Sequence, residues 1–92
     1  MAGMSTHASH PEIIKRLKRA QGHLKSIVTM LEEERPCLDI AQQLLAVERA
    51  IVNAKKALVH DHIDHCLEHA VRDGKRNASD TVSEFKAITK YL

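Results

Sequence analysis

The chain has 92 residues, two cysteines, seven histidines, one phenylalanine, one tyrosine and no tryptophan, with a formal net charge of +2. That length allows one domain at most and a small core of its own, so a partner subunit is a natural source of further burial. An aliphatic core with almost no aromatics suits close helix packing. No run approaches the ~18 apolar residues of a membrane span, and the opening "MAGMSTHASH" lacks a signal peptide's apolar stretch, so a cytoplasmic protein is expected, its cysteines acting as thiols or ligands.

In chain order, residues 1–9 read as a flexible tail and residues 10–92 as a single helical domain. The first helix is expected from "SHPE", where Ser9 and Glu12 have capping-box spacing and Pro11 suits a first turn. Ile13, Leu17, Ala20, Leu24, Ile27 and Leu31 then recur at alternating spacings of 4 and 3, a heptad seam for a neighbouring helix. Between Ile13 and Met30 lie Lys15, Arg16, Lys18, Arg19 and Lys25 with no acid. Such a block is a solvated face or a phosphate-binding surface. Pro36 disfavours helix at Arg35 and ends this element.

A second helix opens at Pro36 and meets no glycine or proline until Gly74. It carries two apolar stripes. One runs through Cys37, Ile40, Leu44, Val47, Ile51, Ala54 and Leu58; the other through Leu38, Ala41, Leu45, Val52 and Val59. A helix of ~35 residues is roughly 50 Å long, about twice the first. One stripe can cover the first helix. The other, with Leu45, Val52 and Val59, calls for a second chain, and an antiparallel bundle of two chains is expected. "RDGKRNASD" reads as a turn with Gly74 as C-cap, followed by a short helix with Thr81 and Glu84 at capping-box spacing.

"VHDHIDHCLEHAV", Val59 to Val71, concentrates four of the seven histidines and one of the two cysteines. His62 and Cys66 stand at i and i+4 and share a face; His65 and His69 form a second such pair. Imidazole and thiolate are ligands for Cu, Ni, Co and Zn. Cys37 lies 25 residues before His62, about 37 Å along a straight helix, too far to share an ion within one chain. If two copies pair antiparallel, Cys37 of one meets His62 and Cys66 of the other.

"PCLDIAQQLLAVERA" followed by "DHIDHCLEH" resembles the CsoR/RcnR family of small bacterial transcriptional repressors, over nearly the whole chain. Its specific element is Cys, then His 25 positions on, then Cys or His four further, here Cys37, His62 and Cys66. The resemblance implies three-helix chains that form dimers and tetramers. It also implies binding of operator DNA through basic helical surfaces, without a helix-turn-helix, until an inducer releases it and a metal efflux gene is derepressed. Arg16, Lys18 and Arg19, extended by Arg49, Lys55 and Lys56, are the residues expected on DNA.

The inducer is the open point. Cys37, His62 and Cys66 match the copper(I) sensors, although Pro36 stands where those carry a tyrosine; some nickel sensors add an N-terminal histidine. RcnR-type nickel/cobalt sensors have histidine in place of Cys66. Formaldehyde sensors use an N-terminal proline, and none precedes Pro11 here; thiol-reactive persulfide sensors use two cysteines spaced like Cys37 and Cys66. His7, His10 and His65 are further nitrogen ligands that move the expectation towards Ni(II) or Co(II), with Cu(I) the alternative. Were Met4 the start and removed, His7 would be the third residue, able to form a square-planar site with the amine and two amides. A metal-binding helical protein with no DNA role is the reading from another class. No Glu-x-x-His pair of a di-iron bundle and no Gly-rich phosphate loop supports an enzyme, so no small-molecule substrate is expected.

Overall fold

The computed structural model describes residues 9–73 and 78–92. Three α-helices account for them: α1 (His10–Glu32), α2 (Cys37–Asp73) and α3 (Ala78–Thr89), with no strand among the described residues. The all-α expectation therefore holds. None of these helices is long and apolar enough to cross a membrane.

The helix ends refine the expected ones. α1 starts beside Ser9, but the capping box is not closed: the Ser9 hydroxyl is buried and finds no hydrogen-bond partner among the described residues. Glu12 instead turns along the helix to Arg16, 3.7 Å away at i+4. α3 starts three residues before the expected cap at Thr81, with Asp80 in its first turn, where a carboxylate suits the helix dipole. Gly74, the expected C-cap of α2, lies outside the described residues.

Between α1 and α2 the chain closes a compact stop that the sequence does not advertise. Arg35 donates its N–H to the Met30 carbonyl at 3.0 Å, Glu34 donates to Leu31 at 3.1 Å, and Glu34 takes a left-handed φ of 55°. This is a Schellman motif with glutamate where glycine is usual. Arg35 must then be extended ahead of Pro36. The Pro36 carbonyl accepts the first bond of α2, from Ile40 N–H at 3.1 Å, which leaves Cys37 as the first residue of that helix.

Two compact units organise the described chain, one of Pro11–Ala54 and one of Lys55–Leu92 together with Ser9 and His10. In the first, burial follows a strict heptad: Ile13, Ala20 and Ile27 on α1, and Ile40, Val47 and Ala54 on α2. Ile27, Ile40 and Val47 form its centre, with Met30 packed against them. The alternate members of both expected seams stay out of this core. Leu17, Leu24 and Leu31 on α1 and Leu44, Ile51 and Leu58 on α2 are all 40–57% exposed.

The stripe expected to be left uncovered divides. Leu45 is exposed, Val52 is half-buried, and Val59, in the second unit, is the most buried side chain described. Val59 is therefore covered within its own chain, contrary to expectation. The surplus apolar surface keeps Leu38 and Leu45 of that stripe and extends over Leu44, Ile51 and Leu58. Full burial of such a side chain is worth about 1.5–3 kcal/mol, so each half-exposed one leaves about 1 kcal/mol to be gained from another surface.

Glu34 offers a local test. A left-handed non-glycine residue costs about 1–2 kcal/mol and glycine's extra freedom about 0.5–1 kcal/mol. Glu34→Gly should therefore raise stability by about 0.5–1 kcal/mol, seen as a higher melting temperature. Glu34→Val should lower it.

Candidate functional site

α2 carries the thiol and imidazole groups at its two ends. Cys37, a free and exposed thiol, opens it. His62 and His65 are half-buried and His60 is exposed, all in the last third of the helix. Cys66 is helical in its backbone, four residues after His62; its side chain lies outside the described residues, and so does all of His7. Among the described residues no three His, Cys, Asp or Glu side chains gather where a metal could be held. Cys37, His62 and Cys66 are all positions of one helix, α2.

By spacing, those positions are in phase. At 3.6 residues per turn, the 25 residues from Cys37 to His62 make about 6.9 turns, and the 29 to Cys66 about 8.1. On an ideal straight helix that spacing would place all three positions within about 20° of one line. Leu44 and Ile51, two of the half-exposed apolar residues, would lie within about 40° of the same line. By spacing alone, the pattern puts a thiol at the start of that line, apolar residues in its middle, and an imidazole and second cysteine position near its end. Thiolate and imidazole are soft to borderline donors, so the set fits Cu(I), Ni(II), Co(II) or Zn(II) and is a poor fit for Mg(II) or Ca(II).

His10 stands half-buried at the start of α1, grouped in the same compact unit as His62 and His65. Of the outlying histidines named from the sequence, His10 and His65 thus share a unit with the His62 end of α2.

The basic residues form a second surface in the Pro11–Ala54 unit. Ala20 and Ala50, both small, leave a cleft of about 360 Å³ between α1 and the first half of α2, lined also by Arg16, Arg19, His23 and Asn53. Arg16 also reaches Glu12, but both side chains are largely exposed, and such a pair is worth about 1 kcal/mol or less. Of the six residues expected on nucleic acid, the cleft gathers Arg16 and Arg19. Lys18 and Arg49 are exposed in the same unit; Lys55 and Lys56 are exposed in the other.

Three residues here escaped the sequence reading. His23 and Gln43 join α1 to α2 through a 2.6 Å bond between His23 Nε2 and Gln43 Oε1, and Asn53 lines the cleft. The available signal was the spacing of Arg16, Arg19 and His23, at i, i+3 and i+7 along one edge of the stripe that buries Ala20.

Comparison with known proteins follows the same lines. A family profile described as "Metal-sensitive transcriptional repressor" matches residues 9–91. The copper-sensing transcriptional repressor CsoR of Bacillus subtilis (strain 168) is 38% identical over 81 residues, spanning 86% of this chain and 80% of the relative. The copper-sensing transcriptional repressor RicR of Mycobacterium tuberculosis (strain ATCC 25618 / H37Rv) is 34% identical over 78 residues, 85% of this chain and 81% of the relative. Among solved structures, the nickel-responsive transcriptional regulator InrS superposes with a TM-score of 0.79 at 29% identity, covering 89% of this chain and 91% of that one.

Proposed function

Since the chain belongs to the family of metal-sensitive transcriptional repressors, we propose that it represses a metal efflux gene. On this reading it binds operator DNA when metal-free and leaves it on taking up Ni(II) or Co(II) at a site shared between two subunits. Cys37 of one chain supplies one ligand, and the partner's His62 and the partner's Cys66 supply two more. What supports this reading is the spacing along α2: Cys37, His62 and Cys66 are separated by near-whole helical turns, with the half-exposed Leu44 and Ile51 between them. Antiparallel pairing of two such faces buries Leu44 and Ile51 and completes two ligand sets at once.

A metal so placed ties the start of one α2 to the end of another. It biases the pair towards whichever arrangement brings the ligands together, and an inducer acts only through such a difference in affinity between two states. Arg16 and Arg19, which line the cleft of the Pro11–Ala54 unit, hold the duplex in the metal-free arrangement.

Ni(II) or Co(II) is favoured by nitrogen donors beyond the shared three. His10 belongs to the compact unit that holds His62 and His65, and these ions accept four to six ligands where Cu(I) is satisfied by three. A copper(I) reading is supported by the copper-sensing relatives, 34–38% identical to this chain.

Deletion through Ser9 combined with His10→Ala separates the two. It should lower Ni(II) and Co(II) affinity by at least tenfold and change the d–d spectrum, while Cu(I) affinity stays unchanged. A Ni(II) spectrum and DNA response identical to those of the intact chain would transfer the assignment to copper.

Arg16→Ala and Arg19→Ala should each weaken DNA binding without changing metal affinity. Each should also flatten the dependence on log salt, by about 0.9 for every phosphate no longer neutralised. Affinity unchanged in both variants would make the basic block a solvated face.

A further inference from the structure

The cleft between α1 and the first half of α2 contains a histidine whose position gives it a task that the metal site does not. His23 lines it beside Arg16 and Arg19. Its Nε2 lies 2.6 Å from Gln43 Oε1, across the helix pair. A carboxamide oxygen only accepts, so Nε2 carries the hydrogen of that bond. In the neutral ring the other nitrogen, Nδ1, is then a bare acceptor. A neutral His23 therefore offers an oxyanion a lone pair, whereas the imidazolium offers it a hydrogen and a positive charge. The Gln43 bond is compatible with both forms, so the ring can gain a proton without leaving its place.

The described residues that line the cleft with it are basic or neutral, and Arg16 is paired with the exposed Glu12 at 3.7 Å. On its own helix, Arg16 and Arg19 are guanidinium donors. From α2 come Ala50, Asn53 and Gln43, none of them charged. No carboxylate is among the described residues that line the cleft. Two guanidiniums and an amide around an opening between two alanines suit a tetrahedral oxyanion, because guanidinium geometry matches phosphate oxygens in pairs.

We propose that this cleft seats a backbone phosphate of DNA and that His23 is one of its ligands, acting as the imidazolium. Binding of the duplex is then coupled to proton uptake, at up to one proton per engaged chain. Phosphate oxygens accept from the imidazolium hydrogen at Nδ1 and from the two guanidiniums together, whereas the neutral ring meets them with a lone pair. The sign follows directly: the protonated form is the DNA-binding form, so affinity is greatest at low pH and is lost as pH rises. This rests on the repressor reading and adds to it a residue and a proton.

The test uses metal-free full-length protein in chelator at fixed ionic strength. Two duplexes are compared, one from the region upstream of the chain's own gene and one of mixed sequence. Between pH 6 and 8 the Kd of the wild type should rise with pH for both, by no more than about tenfold per pH unit for each proton taken up. His23→Gln keeps a polar side chain of similar reach but cannot gain the charge. It should flatten the pH profile and bind about tenfold more weakly at pH 6. Gln43→Glu should hold the imidazolium more firmly and move the transition to higher pH. A flat wild-type profile, or an unchanged profile in His23→Gln, overturns the proposal while leaving the repressor reading intact. Failure of the wild type to bind either duplex at any pH overturns both.

Discussion

A mismatch of length shapes everything else in this chain. α2 has 37 residues and α1 has 23, so α1 can accompany α2 for little more than half its course. Within the Pro11–Ala54 unit the two helices bury one residue per heptad on each side and no more. A core of Ile, Val and Ala on that spacing is thin. Folded domains of this size hold a net stability of only about 5–15 kcal/mol. Leu44, Ile51 and Leu58, each about half exposed, leave together about 3 kcal/mol to be gained, a sizeable fraction of that margin. On the proposed reading, a second α2 covers them, and the ligands stand where that pairing begins and ends. Folding, assembly and sensing then share one helix face.

The opposite requirement governs the basic surface. An apolar stripe must be wide enough to exclude water, but a cleft for an anion needs room and donors. Ala20 and Ala50 provide the room, and Arg16, Arg19, His23 and Asn53 the donors. Ala20 also lets α1 and α2 approach, since it is itself part of the buried heptad. The Schellman stop at Glu34 and the cap at Pro36 fix where α2 starts relative to α1. They set the register that brings Gln43 opposite His23 and leaves Cys37 exposed.

Periodicity was legible in advance and register was not. The heptads of both helices, their all-α packing and the phase of Cys37, His62 and Cys66 follow from spacing, because 25 and 29 residues are close to whole numbers of turns. Which half of each seam is buried depends on how the helices meet, and spacing cannot choose between Ile13 and Leu17. Val59 shows the same limit: its stripe looked uncovered, yet it is the most buried side chain described. Glu34 in a left-handed turn was hidden because the usual glycine is missing. The His23–Gln43 bond was hidden because it joins residues 20 apart in sequence and needs one particular register of two helices.

The shared site is tested most directly by mixing broken halves. Chains carrying Cys37→Ala and chains carrying His62→Ala are co-refolded, and the heterodimer, separated by two different tags, is titrated with Ni(II) and with Cu(I) under anaerobic conditions. If the ligands come from two subunits, one of its two sites is intact and the other lacks both groups. The heterodimer then binds one metal ion at wild-type affinity, while each variant homodimer binds only weakly. If each site is built within one chain, every site in the heterodimer lacks one ligand. Loss of tight binding in the heterodimer, as in both homodimers, would contradict the account.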